Sequence, residues 1–273
     1  MAQARGQDVL SRLAGEGLDF FTIDDLVDRV GLPRDAAQDV ARRLAKANQV
    51  RRLKRGLYIV LDPAYWRRPD AGFVANWYLV AARLAAPDPY YLAYYTAMEL
   101  HQMLQHPLVT VFAATTEQKP TVRVGIATFR FVRVTERKFF GFEERQIERG
   151  AAVAVADLER TFLDCADRID LCGGLEEVAR AFRRRHEDLD RDRLLRYVLE
   201  LGKPVATKRL GFLLETIGHG DARLMWELER LAGQIRHYAP LVPGRATADA
   251  PKNKRWELLI NADLDRLLRS VEP

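Results

Sequence analysis

The sequence predicts an α+β chain in two parts, on three observations. Three helical periodicities and two short strand patterns fill residues 1–61, a β-textured stretch runs over about 108–156, and helices follow over about 157–232. The expected domains are 1–66 and 67–273, the second a mixed domain with a β-sheet and a C-terminal helical bundle. A chain of 273 residues suits two domains, and 48% hydrophobic residues suffice for both to bury a core.

In Gln7–Ala14, Val9, Leu10 and Leu13 recur at helical spacing, and Gly15-Glu16-Gly17 stops the run. Thr22 can cap a second helix, with Asp25 three positions on as its capping-box partner. Ile23, Leu26, Val27 and Val30 form that helix's apolar stripe, and Gly31 suits its end. Pro33 belongs in the first turn of a third helix running to about Asn48, buried through Ala37, Val40, Ala41 and Leu44. At 100° per residue its opposite side carries Asp35, Gln38, Arg42, Lys46 and Gln49. Val50–Leu53 and Leu57–Leu61 then read as two strands joined at a Lys54-Arg55-Gly56 turn.

Charge is concentrated in this region. Arg34, Arg42, Arg43, Lys46, Arg51, Arg52, Lys54 and Arg55 face only Asp35 and Asp39, so residues 34–55 carry +6 and the other 251 residues −1. A basic cluster in an otherwise neutral chain is the footprint of a polyanion-binding face. A solvated charged helix and hairpin would give the same arithmetic, so the architecture has to decide. Three helices followed by a two-stranded wing describe a winged helix-turn-helix, whose second motif helix enters the major groove while the wing meets the backbone or minor groove. On that reading Gln38 and Arg42 reach base edges, where Gln pairs with adenine and Arg with guanine. Arg34, Arg43 and Lys46 hold phosphates, and Arg52, Lys54 and Arg55 anchor the wing.

Beyond the wing, Arg67-Arg68-Pro69-Asp70 reads as a connector, Gly72–Leu84 as a helix packing through Phe73 and Trp77, and Thr96–Leu104 as a helix capped near Tyr95-Thr96. Strands are expected at Val109–Ala113, Thr121–Val124, Thr128–Val134, Glu144–Glu148 and Ala151–Val155. Over Thr121–Lys138, Arg123, Arg130, Arg133, Arg137 and Lys138 face a single Glu136. This second basic face would extend the DNA footprint or meet an RNA or protein partner; outward arginines on a half-solvated sheet are the plainer reading. Helices follow at Asp157–Arg168, Leu175–Arg185, Asp190–Leu201, Val205–Ile217 and Ala222–Leu231, with Asp157 and Asp221 as caps. Arg183-Arg184-Arg185-His186 fits the cation preference of a helix C-terminus. After a polar loop over Pro240–Asn253, a strand at Arg255–Ile260 and a helix at Asp263–Leu268 end the chain.

Catalytic and metal chemistry find no footing, and no cofactor is expected. The two serines, Ser11 and Ser270, lie outside any nucleophile elbow. Cys165 sits among apolar neighbours and Cys172 seven residues on, outside Cys-x-x-Cys spacing. Neither Gly202-Lys203-Pro204 nor Gly218-His219-Gly220 completes a phosphate-binding loop. His101 and His106 lack ligand spacing, His101 reading as a packing or capping residue, and the acid pairs Asp188/Asp190 and Asp263/Asp265 are explained by helix starts. Apolar runs such as Ala151–Ala156 are far short of the roughly 20 residues of a membrane span. With no apolar stretch after Met1 to serve as a signal peptide, a cytoplasmic protein is expected, not an enzyme.

Six blocks, in order, resemble the AbiEi antitoxins of the abortive-infection AbiE toxin–antitoxin system. They are Arg52–Tyr58, Tyr95–His101, Val155–Asp164, Cys172–Val178, Lys208–Glu215 and Arg255–Asn261, together spanning nearly the whole chain. Thr96 and Gln102 stand where the family commonly has Ser and Gly. The resemblance implies a transcriptional autorepressor that binds inverted repeats in its own promoter, with a C-terminal domain that counters a nucleotidyltransferase toxin encoded next door. A ligand-responsive winged-helix regulator without antitoxin role is the alternative, and a nucleic-acid enzyme targeted by the winged helix a third reading.

Overall fold

The computed structural model describes residues 2–67, 76–105, 108–148, 150–234 and 237–271. The expected start of a helix at 72–75, including Phe73, most of the 67–70 connector, and His106 lie outside the described residues. The architecture is mixed α and β, and the chain divides into two compact units: residues 1–80 with 122–128, and residues 81–121 with 129–273.

In the first unit, α1 (Ala2–Gly15) precedes a three-residue strand β1 (Phe20–Thr22), then α2 (Ile23–Asp28), α3 (Arg34–Lys46), β2 (Val50–Lys54) and β3 (Leu57–Val60). The Thr22 hydroxyl accepts from the Asp25 N–H at 3.1 Å, and Asp25 accepts from the Thr22 N–H at 2.7 Å. This closes the expected capping box. The three strands form an antiparallel sheet in the order β1-β3-β2. β1 was not expected as a strand, because Phe20–Thr22 is too short to show a period and takes its hydrogen bonds from residues 57–59. Val9, Leu10, Leu13, Phe21, Leu26, Val40, Ala41, Leu44 and Val50 form one buried core, and Tyr58 stacks on Phe21 with ring centroids 5.3 Å apart.

α4 (Trp77–Ala85) carries the chain from the first unit into the second. There follow β4 (Tyr90–Leu92), α5 (Tyr94–Leu100), β5 (Thr110–Thr115), β6 (Val122–Val124), β7 (Ala127–Arg133), β8 (Phe142–Glu148) and β9 (Ala151–Ala156). The strands of this sheet that lie in the second unit are ordered β7-β5-β4-β9-β8, with β4 antiparallel to β5 and parallel to β9. α5 starts two residues earlier than the sequence suggested. Its N-cap is Ala93, with no side-chain bond, while Thr96 is buried and accepts from the Phe112 N–H at 2.8 Å.

The helices α6 (Leu158–Asp167), α7 (Leu175–Arg185), α8 (Arg191–Leu201), α9 (Pro204–Thr216) and α10 (Ala222–Ala232) match the sequence expectation to within a residue or two. Asp157, Asp190 and Asp221 each accept a backbone N–H of the first turn, which fixes where α6, α8 and α10 begin. α6 and α9 pack on each other, with Phe162, Leu163, Leu210, Leu213 and Leu214 fully buried. A small sheet of β10 (Ala239–Pro240), β11 (Lys252–Asn253) and β12 (Leu258–Leu259), ordered β10-β12-β11, and a final helix α11 (Leu264–Ser270) complete the chain.

Candidate nucleic-acid interface

α3 is the amphipathic element that positions the basic residues of the first unit. Ala37, Val40, Ala41 and Leu44 are buried at 2% exposure or less. Gln38, Arg42, Arg43 and Lys46 are exposed on its other side, together with Asp35 and Asp39. Burial of the short aliphatic stripe thus leaves one polar, net positive helix face in solvent. The hairpin of β2 and β3 presents the second basic group. Its register shifts between Arg52 and Lys54, and Gly56 sits at φ +78°, a conformation that favours glycine. Arg52 and Arg55 are exposed at this turn, Lys54 is half-buried, and the Arg52 guanidinium donates to the Lys54 carbonyl at 3.3 Å.

Two of the candidate arginines have acidic partners. Arg34 pairs with Asp24 of α2 at 2.5 Å, and Arg42 with Asp39 one turn earlier at 3.3 Å, all four side chains more than half exposed. Such surface pairs contribute at most about 1 kcal/mol. The Asp39–Arg42 contact was open to sequence reading from its i,i+3 spacing. The Asp24–Arg34 contact joins two helices and leaves no local signal.

The residues of the second basic set do not share one unit. Arg123 belongs to the first, whereas Arg130, Arg133 and Lys138 belong to the second. The Arg130 guanidinium lies 5.3 Å from the Phe112 ring centroid, and Arg133 donates to the Thr116 carbonyl at 3.3 Å. Lys138 is half-buried in a 3-10 turn over Glu136–Lys138.

The arginine run stands in the last turn of α7, as expected, and also reaches other parts of the chain. Arg183 donates to the Ile217 carbonyl at 3.0 Å, Arg184 to Met103 at 2.7 Å and Arg185 to His101 at 2.7 Å. Ile217 and His101 are the C-caps of α9 and α5, so Arg183 and Arg185 cap the ends of other helices, while Arg184 ties α7 to the segment after α5.

Blocks that stand far apart in sequence meet in the second unit. α6 buries Asp157, Glu159, Arg160 and Asp164. The Arg160 Nε donates to Asp164 at 2.9 Å, and its guanidinium covers the Phe140 ring at 4.4 Å. The Tyr197 hydroxyl donates to Asp157 at 2.7 Å, and Glu159 accepts the Asp190 N–H at 2.7 Å. Burial pushes the Asp164 carboxyl up to about 6 against the attraction of Arg160. In α9, Lys208 is fully buried and donates to Glu257 at 2.7 Å and to the His237 carbonyl at 2.8 Å. Trp256 lies over Gly211 and donates its indole N–H to Glu215 at 2.7 Å. These are structural networks, and their side chains hold helices and the last strands together.

The remaining candidates among the described residues stand in structural settings. His101 is buried, with Nε2 2.8 Å from the Ala156 carbonyl, as a packing residue would be. Cys165 and Cys172 are both buried and free. Burial pushes the Cys172 thiol well above its ordinary value, opposite to a reactive thiolate. Among the described residues no three His, Cys, Asp or Glu side chains converge as a metal site, and no helix is long and apolar enough to cross a membrane.

Comparison with known proteins follows the same division. Residues 8–60 match a family described as "Transcriptional regulator, AbiEi antitoxin", and residues 91–216 match the "AbiEi antitoxin C-terminal domain" family. No curated protein matches. Among solved structures, the chain is similar to the crystal structure of the RV2827C protein from Mycobacterium tuberculosis, at 16% identity. That match covers 96% of this chain and 93% of the other with a TM-score of 0.68, a likeness of fold. The two family matches take in most of the chain and five of the six sequence blocks, the block at Arg255–Asn261 lying beyond them, and the protein belongs to the AbiEi family of antitoxins and transcriptional regulators.

Proposed function

We propose that this regulator is a sequence-specific DNA-binding autorepressor and the antitoxin of an AbiE-like toxin–antitoxin system. Residues 1–66 act as a winged helix-turn-helix, and residues 67–273, with their sheet and helical bundle, form the antitoxin domain. The protein acts in the cytoplasm on inverted repeats of its own promoter. The observation that carries the reading is the α3 surface: an aliphatic side at 2% exposure or less, and an opposite side presenting Gln38, Arg42, Arg43 and Lys46. That is the form of a helix built to lie in the major groove. Gln38 and Arg42 read base edges, Arg34, Arg43 and Lys46 hold phosphates, and Arg52, Lys54 and Arg55 of the β2–β3 turn anchor the flank of the site. On DNA, Arg34 and Arg42 exchange Asp24 and Asp39 for the nucleic acid.

Titration of the promoter duplex against the full chain, with random duplex as competitor, tests the DNA half. Arg42→Ala is expected to lose about 1–3 kcal/mol of specific binding and to relax discrimination at one base pair. Equal promoter affinity in wild type and R42A contradicts the assignment of α3. The antitoxin role rests on family membership. Its partner is a nucleotidyltransferase toxin encoded next door, and co-expression with that neighbour is expected to restore growth. Growth arrest that the antitoxin leaves unrelieved contradicts it.

A further inference from the structure

A cleft of about 370 Å³ opens in the second unit where two of the sequence blocks meet, and neither DNA reading nor the structural networks use it. Tyr95, Leu108, Phe112 and Leu171 supply its apolar lining, and Gly173 closes one side against Tyr95. A Cβ on Gly173 would stand 3.0 Å from the Tyr95 ring, so glycine is what lets the two walls approach. The polar groups of the lining include Arg130 and Asp170. Asp170 is held by Arg168 through two bonds of 2.9 and 2.7 Å, which cancels its charge. Arg130 is exposed, rests over Phe112, and has no ion-pair partner among the described residues. Arg168 and Arg130 both act on the Asp170 carboxylate and hold it below its ordinary value. The two guanidinium groups outnumber that one carboxylate, so the cleft combines two aromatic walls with a net positive charge at its mouth.

From this arrangement we infer that the cleft binds a small aromatic monocarboxylate, its ring between Tyr95 and Phe112 and its carboxylate on the Arg130 guanidinium. The volume admits a ligand at the small end of the usual range, a single ring with a short acidic arm. Ring–ring contact and a charge-assisted bond to a guanidinium favour such a ligand over either an aliphatic acid or a neutral ring. Arg130 on this account is a ligand anchor and not part of a polyanion face.

Calorimetric titration of the full chain with 3-phenylpropionate, its neutral amide 3-phenylpropanamide, and propionate tests this. The expected order is phenylpropionate first, with the amide weaker by about tenfold or more, the value of one charge-assisted bond, and propionate undetectable. Arg130→Met keeps the apolar stem and is expected to abolish the difference between acid and amide while leaving the thermal midpoint and promoter affinity unchanged. Three results would overturn the proposal: no phenylpropionate binding at millimolar concentration, equal binding of acid and amide, or an R130M chain that binds the acid as wild type does. A loss of promoter affinity in R130M would instead place Arg130 on the DNA-binding surface.

Discussion

Arg42 and Asp39 lie 3.3 Å apart on the exposed side of α3, and under the proposed function the balance between them sets what the helix offers to DNA. Asp39 repels phosphate while steering the guanidinium. Asp39→Asn is therefore expected to raise affinity for every duplex by up to about tenfold and to narrow the preference for the promoter. Parallel titrations with promoter and random duplex check this; an unchanged affinity for both would place Asp39 outside the interface. Gly211 poses the opposite contest in the second unit. Alanine in a helix interior gains about 1 kcal/mol over glycine, but a Cβ at 211 would stand 2.1 Å from the Trp256 ring. Overpacking of that severity costs more than the propensity returns, so Gly211→Ala is expected to lower stability by about 2 kcal/mol or more in urea unfolding. A stabilised G211A would mean that Trp256 swings away without cost.

At the scale of elements, the junction between the end of α7 and the turn after α9 is joined by two histidines. Their Nδ1 atoms are 3.0 Å apart, so one ring donates and the other accepts, and both cannot be protonated there together. Burial lowers both below the ordinary histidine value, with Arg183 opposing the charged form of His186, and Glu187, Asp188 and Asp221 favouring protonation. A lowered folded-state value means the unfolded chain takes up protons first. The stability these rings contribute is thus present above pH ~6.5 and is lost as pH falls below it. Asp164 has the opposite sign: its carboxyl, pushed up to about 6, favours folding at low pH and loses that contribution as pH rises through 6. Urea unfolding between pH 5.5 and 8 should show stability rising with pH across the histidine range, with a smaller slope in His219→Gln. An equal slope in that variant contradicts the pairing.

Element starts were the most legible part of the sequence, because an aspartate or threonine cap acts on its own first turn, as at Thr22, Asp157, Asp190 and Asp221. β1 and β4 were not, since each is three residues long and exists only through pairing with distant strands. The exposed side of α3 could be read from helical period alone. The contacts of Arg34 with Asp24 and of Arg183, Arg184 and Arg185 with backbone carbonyls span 10 to 84 residues, which no local pattern encodes. Cys165 and Cys172 are free and buried, in keeping with the apolar neighbours read around Cys165 and with a spacing outside Cys-x-x-Cys.

On the scale of the whole molecule, a basic N-terminal region matched by an AbiEi transcriptional-regulator family precedes an AbiEi C-terminal domain, and the proposed function assigns DNA reading to the first. Because phosphate contacts release counterions, each lost contact lowers the salt slope of binding by about one unit. Lys54→Ala and Arg55→Ala are each expected to do so without altering which duplex is preferred, whereas changes in α3 alter the preference. The measurement that bears most directly on the account is binding of the full chain to its own upstream DNA at two salt concentrations, in wild type and R42A, with random duplex as competitor. The account predicts tight, competitor-resistant binding that falls by about 1–3 kcal/mol in R42A. Weak, strongly salt-dependent binding to any duplex, unchanged in R42A, would contradict it.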